Sequence, residues 1–239
     1  MSIANNLQIV RQKIETAATQ CGRPANAVVL VAVSKTHSPQ MILEAYQEGQ
    51  TVFGENYVQE ATEKIKKLEA QKIVWHFIGQ LQSNKVKQVV GNFALIHSVD
   101  RLSLAETISV KAVAMGIVQP VLLQIHLGDE QSKAGAALDQ AIELSQQMMK
   151  LPGLRLDGLM SMPPIGLPAE QARAYFKQLQ KKLAEIRSSC GEQELKKHPL
   201  KELSMGTSHD YQEAIAEGAT LVRIGTDIFG SREKKERGN

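Results

Sequence analysis

The stretch AVVLVAVSK, residues 27–35, decides how this chain is read. Seven apolar residues, four of them valine, run without a polar break into Ser34 and Lys35. A half-buried strand would alternate apolar and polar residues. A continuous β-branched run is the mark of a parallel strand covered on both faces.

Working outward, similar runs recur down the chain. They are TVFGEN (51–56), IVWHFIG (73–79), FALIHSVD (93–100), PVLLQIHL (120–127), LRLDGLMSM (154–162), ELSMG (202–206) and TLVRIG (220–225). Helical patterns separate them, at about 39–49, 57–70, 83–90, 101–115, 138–150, 169–187 and 209–217. The clearest is 169–187, where Ala172, Phe176, Leu179, Leu183 and Ile186 recur every three or four residues. Repeated strand–helix alternation without hairpin signals implies a parallel sheet. Eight such units, no G-x-G-x-x-G after the first strand and no internal linker favour a closed (β/α)8 TIM barrel over an open Rossmann sheet. The chain of 239 residues is therefore expected to be one α/β domain. An extra N-terminal helix (4–19) precedes the first strand and could cap one end of the barrel, and the charged tail 231–239 is expected to be frayed.

Composition narrows the function classes. Aromatics make up 4% of the chain and the net charge is +3, so neither base-stacking platforms nor a polyanion field is available for nucleic acid. The basic groups Lys64/Lys66/Lys67 and Lys196/Lys197 alternate with glutamates and read as solvated helix faces. The longest apolar run falls far short of the roughly 20 residues of a membrane span. The opening MSIANNLQIVRQKIE has no apolar signal region. Two distant cysteines, Cys21 and Cys190, fit a reducing compartment. A cytoplasmic protein is expected, without membrane or nucleic-acid partners.

Reactive groups in such barrels sit at the C-terminal ends of the strands. Lys35 ends the first strand and shares parity with Val29, Val31 and Val33. If that face is the barrel interior, desolvation would favour the neutral amine that condenses with aldehydes; otherwise the lysine snorkels into water. VRIGT (222–226) and SMGTSHD (204–210) could together cradle a phosphate, or could be ordinary turns with Ser208 as a helix cap. Arg223 alternates with Leu221; it either points inward to an acceptor or pairs with Asp210 or Glu202. The six histidines have no metal-ligand spacing, so no metal site is expected. His76 and His97 read as hydrogen-bonded structural residues, and Met160, Met162 and Met205 as barrel filling.

Taken together, the segments LVAVSKTHS (30–38), GQTVFGENYVQE (49–60), WHFIGQLQSNK (75–85), IHSVDR (96–101), GDEQSKAG (128–135), GLMSMPP (158–164), LSMGTSHDYQEAI (203–215) and VRIGTDIFG (222–230) resemble the pyridoxal phosphate homeostasis protein family. These are single-domain relatives of the alanine racemase N-terminal domain, and the resemblance spans nearly the whole chain. It implies pyridoxal 5′-phosphate (PLP) held covalently as an internal aldimine on Lys35. Asn56 would lie by the ring and Arg223 would face the pyridine nitrogen. Ser208 with the backbone of Gly225 and Thr226 would hold the phosphate. His126 stands where relatives mostly carry Asn, and Thr207 where Met is common, both at the outer wall of the implied pocket.

The implied role is intracellular PLP (vitamin B6) and amino-acid homeostasis, by a monomer that passes the cofactor to PLP-dependent apo-enzymes. Racemization by two bases needs groups on both faces of the substrate carbon. The sequence ends 14 residues after Gly225, which leaves no room for the second domain of alanine racemases. None of Tyr46, Tyr57, Tyr175 and Tyr211 is placed at a strand end, so a carrier without evident catalytic activity is expected. The alternatives are a PLP-dependent amino-acid racemase and a Schiff-base aldolase on the same barrel.

Overall fold

The computed structural model describes residues 2–127, 134–164 and 166–230. Most of the quoted GDEQSKAG segment, and the tail 231–239, lie outside the described residues. The strands are β1 (Val29–Val33), β2 (Val52–Glu55), β3 (Val74–Phe77), β4 (Leu95–Val99), β5 (Gln119–His126), β6 (Ala136–Ala137), β7 (Leu154–Met160), β8 (Glu202–Ser204) and β9 (Leu221–Ile224). All pairings are parallel. They run β4-β3-β2-β1-β9-β8-β7-β5, and the further pairing of β4 with β5 closes the ring. Eight strands thus form the expected barrel. The two-residue β6 is an addition to the expected set, appended to the C-terminal end of β5.

The helices are α1 (Ile3–Gln20), α2 (Pro39–Gln47), α3 (Val58–Lys67), α4 (Val86–Val89), α5 (Leu102–Ala114), α6 (Ala141–Met149), α7 (Ala169–Ser188), α8 (Glu192–Lys197), α9 (Tyr211–Ala216) and α10 (Thr226–Phe229). Local chemistry sets their ends. Ser38 accepts a hydrogen bond from the Met41 amide, and Pro39 occupies the first turn of α2, where its missing N–H costs nothing. The short α8 was not expected; it lies between α7 and β8, in a polar stretch with no apolar periodicity to reveal it.

The N-terminal helix corrects its expected place. It packs against α2, α9 and α10 on the side of the barrel, rather than across one end. Leu7, Val10, Ile14 and Ala18 form its buried stripe. Among the described residues the last strand is followed by the four-residue α10, and α1 packs in the outer ring between α9 and α2. Asn6 donates to Ile228 O at 2.9 Å and fastens α1 to α10.

Parity divides the strand residues between two cores. Leu30, Ala32, Phe53, Phe77, Val222 and Ile224 face the helices in the larger core. Val31, Leu95, Leu122, Met160 and Leu221, with Val52 against them, fill the barrel interior as an apolar plug. Of the three methionines expected to fill the barrel, only Met160 does so. Met205 belongs to the outer core and Met162 is 51% exposed, past the end of β7.

Candidate functional site

The interior changes character one step along the strands. Two residues beyond the plug, about 6–7 Å toward the C-terminal ends, Leu95 gives way to His97 and Leu221 to Arg223. His76 on β3 and Ser204 on β8 complete this layer, and all four are buried. Arg223 donates through Nη1 to Ser204 Oγ and through Nη2 to Ser161 O at 3.0 Å. Ser204 Oγ lies 2.8 Å from His97 Nδ1, and His97 Nε2 lies 3.0 Å from His76 Nδ1. The two histidines are hydrogen-bonded barrel residues, as the sequence suggested.

Burial governs the charges in this layer. It pushes the His76 imidazole down to about 4. His97 falls well below its ordinary value through burial first, then through its neighbours His76 and Arg223. Arg223 is brought down to about 10, so it remains a cation at neutral pH. Among the described residues no carboxylate forms an ion pair with it. The alternative pairing with Asp210 or Glu202 is therefore not made. Asp210 accepts instead from the amide and hydroxyl of Thr207 at 2.7 and 2.9 Å. Glu202 accepts from Thr220 at 2.6 Å.

Above this layer is the mouth. Lys35 follows β1 in a turn and is half-buried; Thr36 beside it adopts a left-handed backbone, φ 68°. Asn56 follows β2 with the inward parity of Gly54, and its Oδ1 is buried without a hydrogen-bond partner among the described residues. The backbone of Asn56 leaves no space beside Gly79, where a Cβ would come within 2.0 Å of Asn56 O. His126 ends β5 with the inward parity of Leu122, and its Nε2 is likewise buried and unpartnered.

On the opposite side, Arg223 N donates to Gly206 O at 3.0 Å and ties β9 to the loop that carries Ser208. Gly206 turns that loop at φ 91°, against Tyr211 and Ala214. Ser208 is half-buried and does not cap α9, whose first flanking residue is Asp210. Gly225 lies against Val33, two residues before Lys35, and opens α10 at Thr226, which is exposed. The first amides of that turn have no intrahelical acceptor. Finally His37 stacks on Phe229, with ring centroids 4.8 Å apart, joining the Lys35 turn to α10. Lys35, Asn56, Ser208, Arg223, Gly225 and Thr226 thus gather at one end of one barrel.

Comparison with known proteins follows this geometry. The alanine racemase N-terminal domain family matches residues 3–233. Pyridoxal phosphate homeostasis proteins of Aquifex aeolicus and Escherichia coli K12 are each 42% identical to this chain. Both matches cover 98% of it, with 100% and 99% of the relatives' own lengths. The chain belongs to the pyridoxal phosphate homeostasis protein family. Structures of PipY from Synechococcus elongatus, without PLP and with PLP bound, are 38% identical, with TM-scores of 0.85 and 0.83. Each covers 96% of this chain and 100% of PipY. An alanine racemase of Clostridium difficile shares the fold alone, at 16% identity and TM-score 0.68 over 61% of its length.

Within this family member, one reading of the sequence fails plainly. The sequence pattern places Lys64 with Lys66 and Lys67 on a solvated face, yet it is 4% exposed. It turns inward to Glu55 Oε1 at 2.8 Å and Glu60 Oε1 at 2.5 Å. The signal was present in the helical period: Val58, Ala61, Lys64 and Leu68 form one buried stripe. Among the described residues, no helix is long and apolar enough to cross a membrane, no cluster could hold a metal ion, and both cysteines are free.

Proposed function

We propose that this chain binds PLP at the barrel mouth, covalently through Lys35 Nζ, and acts as a carrier in PLP and amino-acid homeostasis rather than as an enzyme. The observation that carries the reading is Arg223, a buried cation held by Ser204 and Ser161 with no ion-paired carboxylate among the described residues, two residues before Gly225 and in the barrel whose mouth carries Lys35. Its two acceptors are neutral, so a further acceptor on a ligand would be favoured beside it. Asn56 Oδ1 and His126 Nε2 at the same rim, which have no hydrogen-bond partner among the described residues, fit a polar aromatic ligand equally well.

PLP supplies an aldehyde, a pyridine nitrogen and a phosphate dianion. In the proposed arrangement the neutral amine of Lys35 would condense with the aldehyde with loss of water, and Asn56 would border the ring. Arg223 donates toward the pyridine nitrogen; as a permanent cation it keeps that atom unprotonated and weakens the ring as an electron sink. Ser208 and the backbone of Gly225 and Thr226 hold the phosphate.

The carrier assignment rests on the proton inventory. The imidazoles linked to Arg223 are enclosed and held neutral. Tyr211 is 4% exposed, and burial raises its phenol to about 12. Neither arrangement suits a group that takes up and returns a proton near pH 7. A monomer that surrenders PLP to apo-enzymes in the cytoplasm completes the proposal.

The test is borohydride reduction of PLP-loaded protein followed by peptide mapping. The adduct is expected on Lys35 and should vanish in Lys35→Ala; an adduct elsewhere would overturn the site. Transfer of PLP to an apo-enzyme supports the carrier role. Lys35-dependent deuterium exchange at the α-carbon of amino acids would replace that role with racemase-type catalysis.

A further inference from the structure

The turn that carries Lys35 is held from outside the barrel by a cluster of charged groups. Ser34 and Glu55 are buried and face α3, not the interior. Lys64 of α3 reaches between them. Its ammonium donates to Ser34 O at 2.7 Å, to Glu55 Oε1 at 2.8 Å and to Glu60 Oε1 at 2.5 Å. Glu55 Oε1 also accepts the Ser34 hydroxyl at 2.6 Å. Glu60 Oε1 also accepts the amide of Thr36 at 2.6 Å. The carbonyl before Lys35 and the amide after it are therefore both gripped by one cluster.

We infer that Glu60 and Lys64, with Glu55 beneath them, are positioning residues that fix the backbone of Lys35 for attack on an aldehyde at the barrel mouth. Two physical points support this. Thr36 sits at φ 68°, a left-handed conformation that a β-branched residue adopts only when its surroundings impose it. The turn is closed by the His37 amide on Ser34 O at 3.1 Å, and the bond from the Thr36 amide to Glu60 braces it from outside the barrel. Lys64 brings in a buried charge whose desolvation must be offset, and each of its three acceptors belongs to the Lys35 turn or braces it. A lysine needed only for stability could have been replaced by an apolar residue on the same stripe.

The inference rests on the proposed role of Lys35, and the experiment separates the two. Glu60 is the residue to change, because its side chain is 28% exposed and its loss leaves the barrel core untouched. Glu60→Ala should remain folded but load PLP onto Lys35 about tenfold more slowly or more weakly, the scale of one lost charge-assisted hydrogen bond. Glu60→Gln keeps an oxygen for the Thr36 amide and should recover much of the loss, which a general stability effect would not do. Hydrogen exchange of the PLP-free protein supplies a second readout. The Thr36 amide should lose protection in Glu60→Ala while the amides of β1 keep theirs.

Wild-type loading rates in Glu60→Ala, or unchanged protection of Thr36, would overturn the inference. Failure of the wild-type chain to load PLP on Lys35 would overturn the functional reading. The exchange experiment would then still decide whether Glu60 restrains the turn.

Discussion

Arg223 and Ser204 are joined by a hydrogen bond that opens a chain of polar contacts through His97 to His76 across the barrel. A guanidinium only donates, so Ser204 Oγ accepts, and the acceptor within reach of its own proton among the described residues is His97 Nδ1. His97 then carries its proton on Nε2 and donates to His76 Nδ1, which leaves the His76 proton on Nε2 as well.

Both imidazoles should therefore be neutral Nε2–H tautomers at pH 7. Long-range nitrogen–proton NMR correlations on labelled histidine report this directly. Ser204→Ala removes the relay at its first link and strands a buried donor. A loss of about 1–3 kcal/mol in urea unfolding is expected. A Nδ1–H signal from His97 in the wild-type protein would contradict the proton order.

Acid should destabilise the fold through the same residues. The unfolded chain protonates its histidines near their ordinary value of 6.5, whereas His76 in the barrel resists until about 4. Between these values the unfolded state binds more protons, so stability falls as pH drops through the window and levels off above it. For His76 alone the full change is about 3 kcal/mol. Burial raises the Glu55 carboxyl and works in the opposite sense. The imidazole contribution is isolated by comparing His76→Gln with wild type at pH 7.5 and pH 5. The variant should show the shallower loss; parallel losses would rule out the buried neutral histidine.

How much of this was legible depends on the range of the interaction. The barrel followed from local patterns, because strand runs such as 28–34 and the helical period of 169–187 carry their own signal. Lys35 and Arg223 were reachable by parity along single strands. The relay was not, since β3, β4, β8 and β9 bring His76, His97, Ser204 and Arg223 together only when the barrel closes. The side position of α1 escaped for a related reason. A helix declares its apolar face, but its partners α2, α9 and α10 come from distant parts of the chain.

Gly79 offers a test of how tightly the rim around Asn56 is built. An added methyl would meet Asn56 O at 2.0 Å and Asn56 Cα at 2.6 Å, backbone atoms that have no rotamer with which to yield. Gly79 O is also the acceptor of the Ser98 hydroxyl. Gly79→Ala should cost about 1–3 kcal/mol or more through overpacking. It should also weaken PLP uptake by moving Asn56 while Lys35 keeps its reactivity. Thermal unfolding and PLP titration together check both parts, and an unperturbed variant would show that the rim is slack.

The sharpest contrast lies within one helix. Lys64, Lys66 and Lys67 are chemically alike and separated by at most three positions, yet only Lys64 is buried, while Lys66 and Lys67 are exposed. Lys66→Ala and Lys67→Ala should change stability by no more than about 0.5 kcal/mol. Lys64→Ala leaves Glu55, 0% exposed, without its cation, and a broken buried pair costs about 3–5 kcal/mol. Lys64→Ala with Glu55→Gln removes the stranded charge, so part of the loss should return. Urea unfolding of the four variants measures the set. Equal, small effects at all three lysines would mean that Lys64 spends its time in water, and the cluster behind Lys35 would lose its anchor.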